Sequence, residues 1–306
     1  MTKVLIATEK PFAKVAVDGI REIIEKAGFE VALLEKYTSV DDLYKAVEDA
    51  DALIVRSDKV TKEVIDHAKK LKIVVRAGAG FDNLDLAACT AKGIVAMNTP
   101  GQNSNAVAEL AIGFMVYMAR TMFTPVAGTE LQGKKLGIQA YGHVGRLVGM
   151  KAKALGMEVM ALDPFVPAEN IEKDGVKVAK DINDLYSSCD YVSLHIPAND
   201  QTKNSINYEL LSKMPKGACL INTARKEVIN EADMVKMLSE REDFKYITDI
   251  APTNDEELKK FAPRYFATPK KMGAQTKEAN INAGLAAARQ IVDFIKNGVT
   301  KFQVNK

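Results

Sequence analysis

The sequence predicts an α/β protein built from two doubly wound parallel-sheet domains. Short apolar runs alternate with segments of helical spacing through the first hundred residues. A glycine-rich turn after Lys134 then starts a second series of the same kind. This alternation is typical of parallel sheets covered by helices. At 306 residues the chain is long enough to bury a core in each domain.

The first domain is predicted to be a parallel sheet because its strands are separated by helices suited to right-handed crossovers. The predicted helices cover about 12–27, 40–48 and 61–70, and the predicted strands are 3–8, 29–34, 51–57, 72–78 and 93–98. We assign residues 1–97 to this domain and residues 98–275 to the second. The C-terminal helix and tail, 276–306, are expected to return to the first domain. The apolar stretch 103–121 is interpreted as a buried core helix rather than a membrane span.

The second domain opens with a strand, a glycine turn, a helix, another strand and an acid, over residues 134–163. This order is typical of a dinucleotide-binding βαβ unit. Its turn consists of Ala140, Tyr141, Gly142, His143, Val144 and Gly145. Alanine replaces the usual first glycine, which is expected to strain the turn. The alternative interpretation is an ordinary strand–helix turn.

The chemistry of this unit points to NAD. Gly142 lets backbone N–H groups approach a pyrophosphate at a helix N-terminus, which favours negative charge. Asp163 lies 163 − 142 = 21 residues beyond that glycine. An acid there can accept hydrogen bonds from both ribose hydroxyls and repels a 2′-phosphate, so NAD is favoured over NADP.

The net charge and the cysteine content indicate which partners and which compartment the protein has. The net charge of +2 gives no reason to expect nucleic acid as a partner. The cysteines, Cys89, Cys189 and Cys219, lack the spacing of a metal site or a disulfide framework, which favours a reducing cytoplasm. We find no signal peptide and expect no membrane association.

Four stretches of the sequence resemble one family, the D-2-hydroxyacid dehydrogenases, and within it the D-3-phosphoglycerate dehydrogenases. They are VRAGAGFDNLDLAACTAKGIVAMNTPGQNSNAVAEL (75–110), the glycine loop with its acid, SLHIP (193–197) and GACLINTARKEVIN (217–230). The resemblance implies a Rossmann NAD-binding domain and a flavodoxin-like substrate domain. It also implies a homodimer, although the segment between Arg120 and Lys134 is shorter than the family's dimer arm. No appended regulatory domain follows, so serine feedback by that route is not expected.

The resemblance also assigns site residues. Arg225 matches the catalytic arginine, which holds the substrate carboxylate and carbonyl oxygen; a surface arginine at a strand end is the alternative. The substrate-binding positions it implies are Arg56, Ser57 and Arg76, with the amides of Ala77 and Gly78 for the carboxylate. Beyond the glycine loop and Asp163, the cofactor-binding positions it implies are His195, Ile196, Pro197, Thr202, Thr223, Ala224 and Asp249.

Two positions depart from the family pattern. The histidine expected after Thr268-Pro269 is absent, and either Lys270 or Lys271 takes its place, depending on the direction of counting. The glutamate that pairs with that histidine is replaced by Asn254, followed by Asp255, Glu256 and Glu257. We hypothesise that a lysine replaces the His–Glu pair as acid and base. The alternative is that both lysines bind substrate phosphate or cofactor.

A free lysine has a pKa of about 10.4, too high for a base near neutral pH. Desolvation and neighbouring cations lower the pKa of a lysine, and so does the loss of a carboxylate partner. The resemblance implies NAD-dependent oxidation of 3-phosphoglycerate to 3-phosphohydroxypyruvate, the first step of serine biosynthesis. The alternatives are a glyoxylate or hydroxypyruvate reductase and a non-catalytic NAD sensor resembling corepressors of the same fold.

Overall fold

The fold is described from a computed structural model, which covers residues 1–305. The chain divides into two compact units. The first comprises Met1–Asn103 together with the chain from Thr276 onward, and the second comprises Ser104–Gln275.

The first unit contains, among the described residues, one sheet of five parallel strands in the order β2-β1-β3-β4-β5. The strands are β1 Lys3–Thr8, β2 Glu30–Glu35, β3 Ala52–Val55, β4 Ile73–Arg76 and β5 Val95–Asn98. The helices between them are α1 Lys14–Lys26, α2 Val40–Val47, α3 Lys62–His67 and α4 Leu86–Ala91. Side chains of β3 are buried along its whole length because helices cover both faces of the sheet. Helix α4 was not predicted from the sequence.

The second unit contains, in the part of the chain that is described, a sheet of seven parallel strands ordered β12-β11-β10-β9-β6-β7-β8. The strands are β6 Lys135–Gln139, β7 Glu158–Leu162, β8 Lys177–Val178, β9 Tyr191–Leu194, β10 Cys219–Asn222, β11 Lys245–Thr248 and β12 Tyr265–Ala267. The helices are α5 Ser104–Ala119, α6 His143–Ala154, α7 Ala168–Glu172, α8 Ile182–Ser188, α9 Tyr208–Leu211, α10 Glu231–Glu240 and α11 Asp255–Leu258. The predicted α/β class with two parallel sheets is confirmed.

The last helix, α12 Lys277–Asn297, packs on α1 of the first unit. Gly284 permits this close approach, since a Cβ at that position would lie 2.8 Å from the Cδ1 of Ile20. The side chain of Asn305 then hydrogen-bonds the backbone of Ala96 and Ile94 beside the edge strand. The C-terminal segment is thus part of the core of the first unit.

Helix α5 is buried along much of its length in the core of the second unit. No helix within residues 1–305 combines the length and apolar character needed to cross a bilayer. Directly after α5, Thr121, Met122 and Phe123 all have positive φ values, of 50°, 57° and 57°. Such a left-handed turn is costly for residues with a Cβ. The Thr121 and Thr124 hydroxyls stabilise it by donating to the carbonyls of Val126 and Thr121.

Candidate active site

The glycine loop lies where the strand order of the second sheet reverses. Strands β7 and β8 extend to one side of β6, and β9 to β12 extend to the other. In open parallel sheets, ligands bind at this switch point, beyond the carboxyl ends of the strands. The order of the strands therefore places the residues after β6 and β9 side by side. The amide of His195 accordingly donates to the carbonyl of Gln139 over 2.9 Å.

The two glycines of the loop have different physical roles. A Cβ on Gly145 would lie 2.2 Å from the carbonyl oxygen of Ala140, so any side chain there would push the helix away from the strand. Apart from its neighbours in the chain, no atom of residues 1–305 lies within 4 Å of a Cβ built on Gly142, which is the N-cap of α6. The loop backbone is thus open to a ligand at the helix N-terminus, as a pyrophosphate requires.

Ala140 has a φ of +75°, in the left-handed region that glycine adopts easily. The strain expected from the sequence is therefore present. It persists because the Ala140 amide donates to the carbonyl of Leu162 over 2.9 Å, which fixes the start of the turn.

We expect Ala140→Gly to raise the free energy of unfolding by about 0.5–1 kcal/mol, because relief of left-handed strain outweighs the added freedom of the unfolded chain. Denaturant-induced unfolding measures the difference. Ala154→Gly, at the exposed last residue of α6, is the control and is expected to destabilise by up to about 1 kcal/mol. Equal destabilisation by both variants would contradict the strain argument.

Asp163 stands at the carboxyl end of β7, next to the loop. Its Oδ2 accepts the Tyr141 N–H and its Oδ1 accepts the Phe165 N–H, each over 2.8 Å. The carboxylate is thus held beside the glycine loop, where the ribose of a dinucleotide would lie. The open loop backbone and this fixed acid together fit NAD.

The three histidines lie on α3, at the start of α6 and after β9, not in the loop after β12 where the resemblance expects the family's acid–base histidine. His67 lies on α3 of the first unit, where its ring stacks on Tyr44. His143 is the exposed first residue of α6. His195 follows β9, where its Nε2 lies 3.0 Å from the Ser193 hydroxyl and burial lowers its pKa to about 3. It is therefore neutral at physiological pH.

The loop that continues from His195 is folded around a threonine hydroxyl. Thr202 donates through its Oγ1 to the Pro197 carbonyl over 2.6 Å. Ile196 is buried beneath this turn, while Pro197 is exposed. The family resemblance assigns these residues to cofactor binding. They form one compact turn beside the glycine loop.

Arg225 follows β10 in a framework built by an asparagine. The buried side chain of Asn222 donates to the Arg225 carbonyl and accepts from the Ala224 amide, over 2.9 and 3.0 Å. The guanidinium itself is exposed and donates through Nη1 to the Ala224 carbonyl over 3.0 Å. Asn222 was not predicted as a site residue, although a polar residue at the end of a buried strand is a signal for one.

The Ala224 carbonyl also accepts a hydrogen bond from a second cation. The Nζ of Lys271 donates to it, so the ammonium and the Arg225 guanidinium meet at one oxygen. Lys271 is half-buried, whereas Lys270 is exposed and makes no side-chain hydrogen bond within residues 1–305. The structure thus places Lys271, and not Lys270, beside the arginine.

Asp249 is the carboxylate that faces this pair of cations. Its Oδ2 accepts the Gly273 N–H over 2.8 Å, which fixes the loop that carries Lys271. Its Oδ1 is buried and has no hydrogen-bond partner among the described residues. Burial raises the pKa of Asp249, against the lowering effects of Lys271, the loop amides and Arg225. An unsatisfied buried oxygen fits a donor from a bound cofactor.

Thr223, in the same unit, has a second unsatisfied buried atom. Its Oγ1 is buried without a hydrogen-bond partner among residues 1–305. A hydroxyl can act as donor or acceptor, so this group can also serve a polar ligand.

Two of the acidic residues after Asn254, Asp255 and Glu256, are engaged by neighbouring side chains. Asp255 accepts the Tyr265 hydroxyl over 2.7 Å and pairs with Lys259 over 2.8 Å. Glu256 is exposed and pairs with the same lysine. The amide of Asn254 donates to the Glu231 carbonyl over 3.3 Å. Asp255 and Glu256 are thus both paired with Lys259.

In the first unit, the Arg56 guanidinium uses most of its donors in hydrogen bonds to neighbouring segments. Its Nη1 donates to the carbonyls of Lys10 and Pro11 over 3.1 and 3.0 Å, and its Nη2 donates to the side chain of Asn280 on α12. The guanidinium also lies over the Phe12 ring, 5.1 Å from its centroid. The hydrogen bonds donated by the Arg56 guanidinium therefore hold together three segments of this unit.

Arg76 lies at the end of β4 and donates through Nε to the Arg56 carbonyl over 2.9 Å. Gly78 makes room for it, since a Cβ there would lie 1.6 Å from the arginine Nη1. The Ala77 and Gly78 amides donate to the carbonyls of Val55 and Arg76. Both amides expected to bind carboxylate are thus already hydrogen-bonded in this structure.

Ser57 is exposed, and the next residue organises the loop around it. The buried carboxylate of Asp58 accepts the Glu9 N–H over 2.6 Å and the Tyr37 hydroxyl over 2.9 Å. Asp58 was not singled out from the sequence, because its partners lie in two distant segments.

A dinucleotide loop at the switch point of a parallel sheet, with an arginine after β10 and a lysine in the loop after β12, is typical of nucleotide-dependent oxidoreductases. Residues 114–270 match the family described as D-isomer specific 2-hydroxyacid dehydrogenase, NAD binding domain, and the chain belongs to this family. The cofactor of the second unit is therefore NAD, as predicted.

Individual relatives agree on the family and differ in activity. A D-3-phosphoglycerate dehydrogenase of Methanocaldococcus jannaschii is 36% identical over 301 residues, which cover 93% of this chain and 57% of the relative. A hydroxypyruvate reductase of Thermotoga maritima is 33% identical over 281 residues, covering 86% of this chain and 90% of the relative. The crystal structure of NAD⁺-bound 3-phosphoglycerate dehydrogenase from Entamoeba histolytica is 50% identical, with a TM-score of 0.88 and coverage of 100% and 99%. The chain spans little more than half the length of the Methanocaldococcus relative.

Proposed function

We propose that this protein oxidises 3-phosphoglycerate at C2 to 3-phosphohydroxypyruvate, the reaction that opens serine biosynthesis. The observation that carries the proposal is the meeting of the Arg225 guanidinium and the Lys271 ammonium at the Ala224 carbonyl. When bound, NAD accepts the hydride that leaves C2. The 50% identical relative of Entamoeba histolytica, a 3-phosphoglycerate dehydrogenase, supports the choice of substrate.

Arg225 binds the substrate carboxylate and the oxygen on C2. The guanidinium uses one donor on the Ala224 carbonyl and presents others to solvent, so it can form the bidentate contact that orients this carbon. As the alcohol becomes a ketone, the same group stabilises the developing negative charge on oxygen.

Lys271 takes the proton of the C2 hydroxyl and returns it in the reverse direction. A neighbouring guanidinium disfavours a second positive charge, which promotes the neutral amine that a base requires. The Asp249 carboxylate, which interacts with Lys271, acts in the opposite direction, because a nearby negative charge favours the ammonium. The replacement of the family's glutamate by Asn254 also favours the neutral amine of Lys271.

In the first unit, we assign the substrate phosphate to Arg76 and to the remaining donors of Arg56. The phosphorylated substrate is the part of the proposal that depends on these two arginines, because the reaction at C2 does not require them. Reduction of hydroxypyruvate is the second candidate. It is supported by the Thermotoga relative and by the commitment of Arg56 to Lys10, Pro11 and Asn280.

NADH oxidation with 3-phosphohydroxypyruvate and with hydroxypyruvate separates the two candidates. We expect kcat/KM to be at least about tenfold higher for the phosphorylated substrate, since one charge-assisted contact contributes about 1.5–3 kcal/mol. A preference for hydroxypyruvate would replace the first candidate by the second. Turnover of neither substrate, with NAD still bound, would support the non-catalytic sensor.

A further inference from the structure

Phe165 is 89% exposed, more than Phe123 at 69% or Phe81 at 39%. Isolated apolar side chains on a surface are common. This ring is distinguished by its position, since it lies two residues after Asp163, in the turn that follows β7.

The backbone of Phe165 is fixed to the acid that faces the ribose position. Its N–H donates to the Asp163 Oδ1 over 2.8 Å, while Oδ2 of the same carboxylate accepts the Tyr141 N–H of the glycine loop. Pro164, between the acid and the ring, restricts the backbone of the turn further. One carboxylate thus ties the Phe165 turn to the loop that receives the pyrophosphate.

A cavity opens at the neighbouring strand end. Its volume is about 260 Å³, and residues lining it include Gln139, Ile182, Ser205 and Leu210. Gln139 is the ladder partner of Leu162, the residue directly before Asp163. A nucleoside whose ribose meets Asp163 has its base within a few ångströms of that carboxylate, and the Phe165 backbone is hydrogen-bonded to the same carboxylate.

We propose that Phe165 is a base-stacking residue, whose ring packs on the adenine of bound NAD. An aromatic ring in water gains by covering the face of a base, and every base has such a face. The inference depends on NAD as cofactor and is independent of which 2-hydroxyacid is oxidised. It explains why a large apolar ring is kept in solvent beside the ribose position.

The absence of tryptophan from the chain allows a direct test. In Phe165→Trp the new indole is the sole tryptophan, and stacking on adenine is expected to quench its fluorescence when ADP-ribose or AMP is added. These ligands lack nicotinamide, so energy transfer to that ring cannot produce the signal. Phe123→Trp, an exposed ring elsewhere in the same unit, is the matched control and is expected to show no quenching.

Isothermal titration provides the second readout. Phe165→Ala is expected to weaken ADP-ribose binding about tenfold, within the range for loss of one base–aromatic stack, with Phe165→Leu in between. Unchanged emission of Phe165→Trp, at ADP-ribose concentrations that titration shows to be saturating, would overturn the proposal. So would equal affinity of wild type and Phe165→Ala. If wild type bound no ADP-ribose, the cofactor assignment would fail together with the stacking role.

Discussion

Lys271→Ala is expected to lower kcat for phosphoglycerate oxidation by about 10²–10⁴-fold, the range for loss of a positioned acid–base group. The reason is geometric, because Lys271 is the lysine that meets the guanidinium of Arg225 at the Ala224 carbonyl. Lys270→Ala is the matched control. Its side chain is exposed and makes no hydrogen bond among the described residues, so a far smaller effect is expected.

The Lys271→Arg variant distinguishes a role of Lys271 as a base from a role of its positive charge in substrate binding. Arginine retains the positive charge but does not lose its proton at accessible pH, so it can bind an anion and cannot act as a base. If Lys271 is the base, the arginine variant is as inactive as the alanine variant, and KM for substrate changes less than kcat. Near-normal turnover of Lys271→Arg would assign this lysine to substrate binding instead.

The pH profile gives an independent check of the same assignment. Oxidation requires the neutral amine, so kcat in that direction should rise with pH until the lysine is deprotonated, and the alanine variant should lose this dependence. His195 cannot supply the effect, because burial lowers its pKa to about 3. A rise with pH that survives in Lys271→Ala would point to another group.

Arg225→Ala is expected to lower kcat/KM by at least about 10²–10³-fold, since it removes both the carboxylate contact and a preorganised cation at the reacting oxygen. Arg225→Lys should recover little, because a lysine cannot form the planar bidentate contact. Steady-state kinetics measure both variants. Added guanidinium is expected to rescue Arg225→Ala in part and to leave Arg225→Lys unchanged.

Lys226→Ala serves as the control for disturbance of the loop. Lys226 follows Arg225 directly in the short turn after β10, and it is given no role in the site. A loss in Lys226→Ala equal to that in Arg225→Ala, or activity retained without the arginine, would remove Arg225 from the mechanism.

A lysine in place of the His–Glu pair is consistent with the surroundings that the fold provides. Histidine needs a carboxylate to orient its ring and to stabilise the imidazolium, whereas a carboxylate paired with a lysine would hold the proton more tightly. In this structure Asp255 is engaged by Tyr265 and Lys259, outside the pair formed by Lys271 and Arg225. Both substitutions in the family pattern therefore favour a neutral amine, against the opposing effect of the Asp249 carboxylate.

Much of the fold could be predicted from the sequence, because its signals are local. Apolar runs of strand length and the A-x-G-x-x-G turn depend on neighbouring residues alone, and they placed the glycine loop and Asp163 at consecutive strand ends. The short helices α7, α9 and α11 were not predicted, since four or five residues carry too little periodicity to recognise. The strain at Ala140 was predicted for the same local reason as the loop itself.

The sequence by itself determined the α/β class, the cofactor loop and the position of Arg225 at a strand end. Only the tertiary structure revealed that the Lys271 ammonium meets the Ala224 carbonyl, because this acceptor belongs to a strand end 47 positions away. It likewise revealed that Arg56 is held by Asn280, 224 positions further along the chain. Hydrogen-bond partners so distant in sequence are brought together only by the packing of strands and helices, which no local pattern encodes.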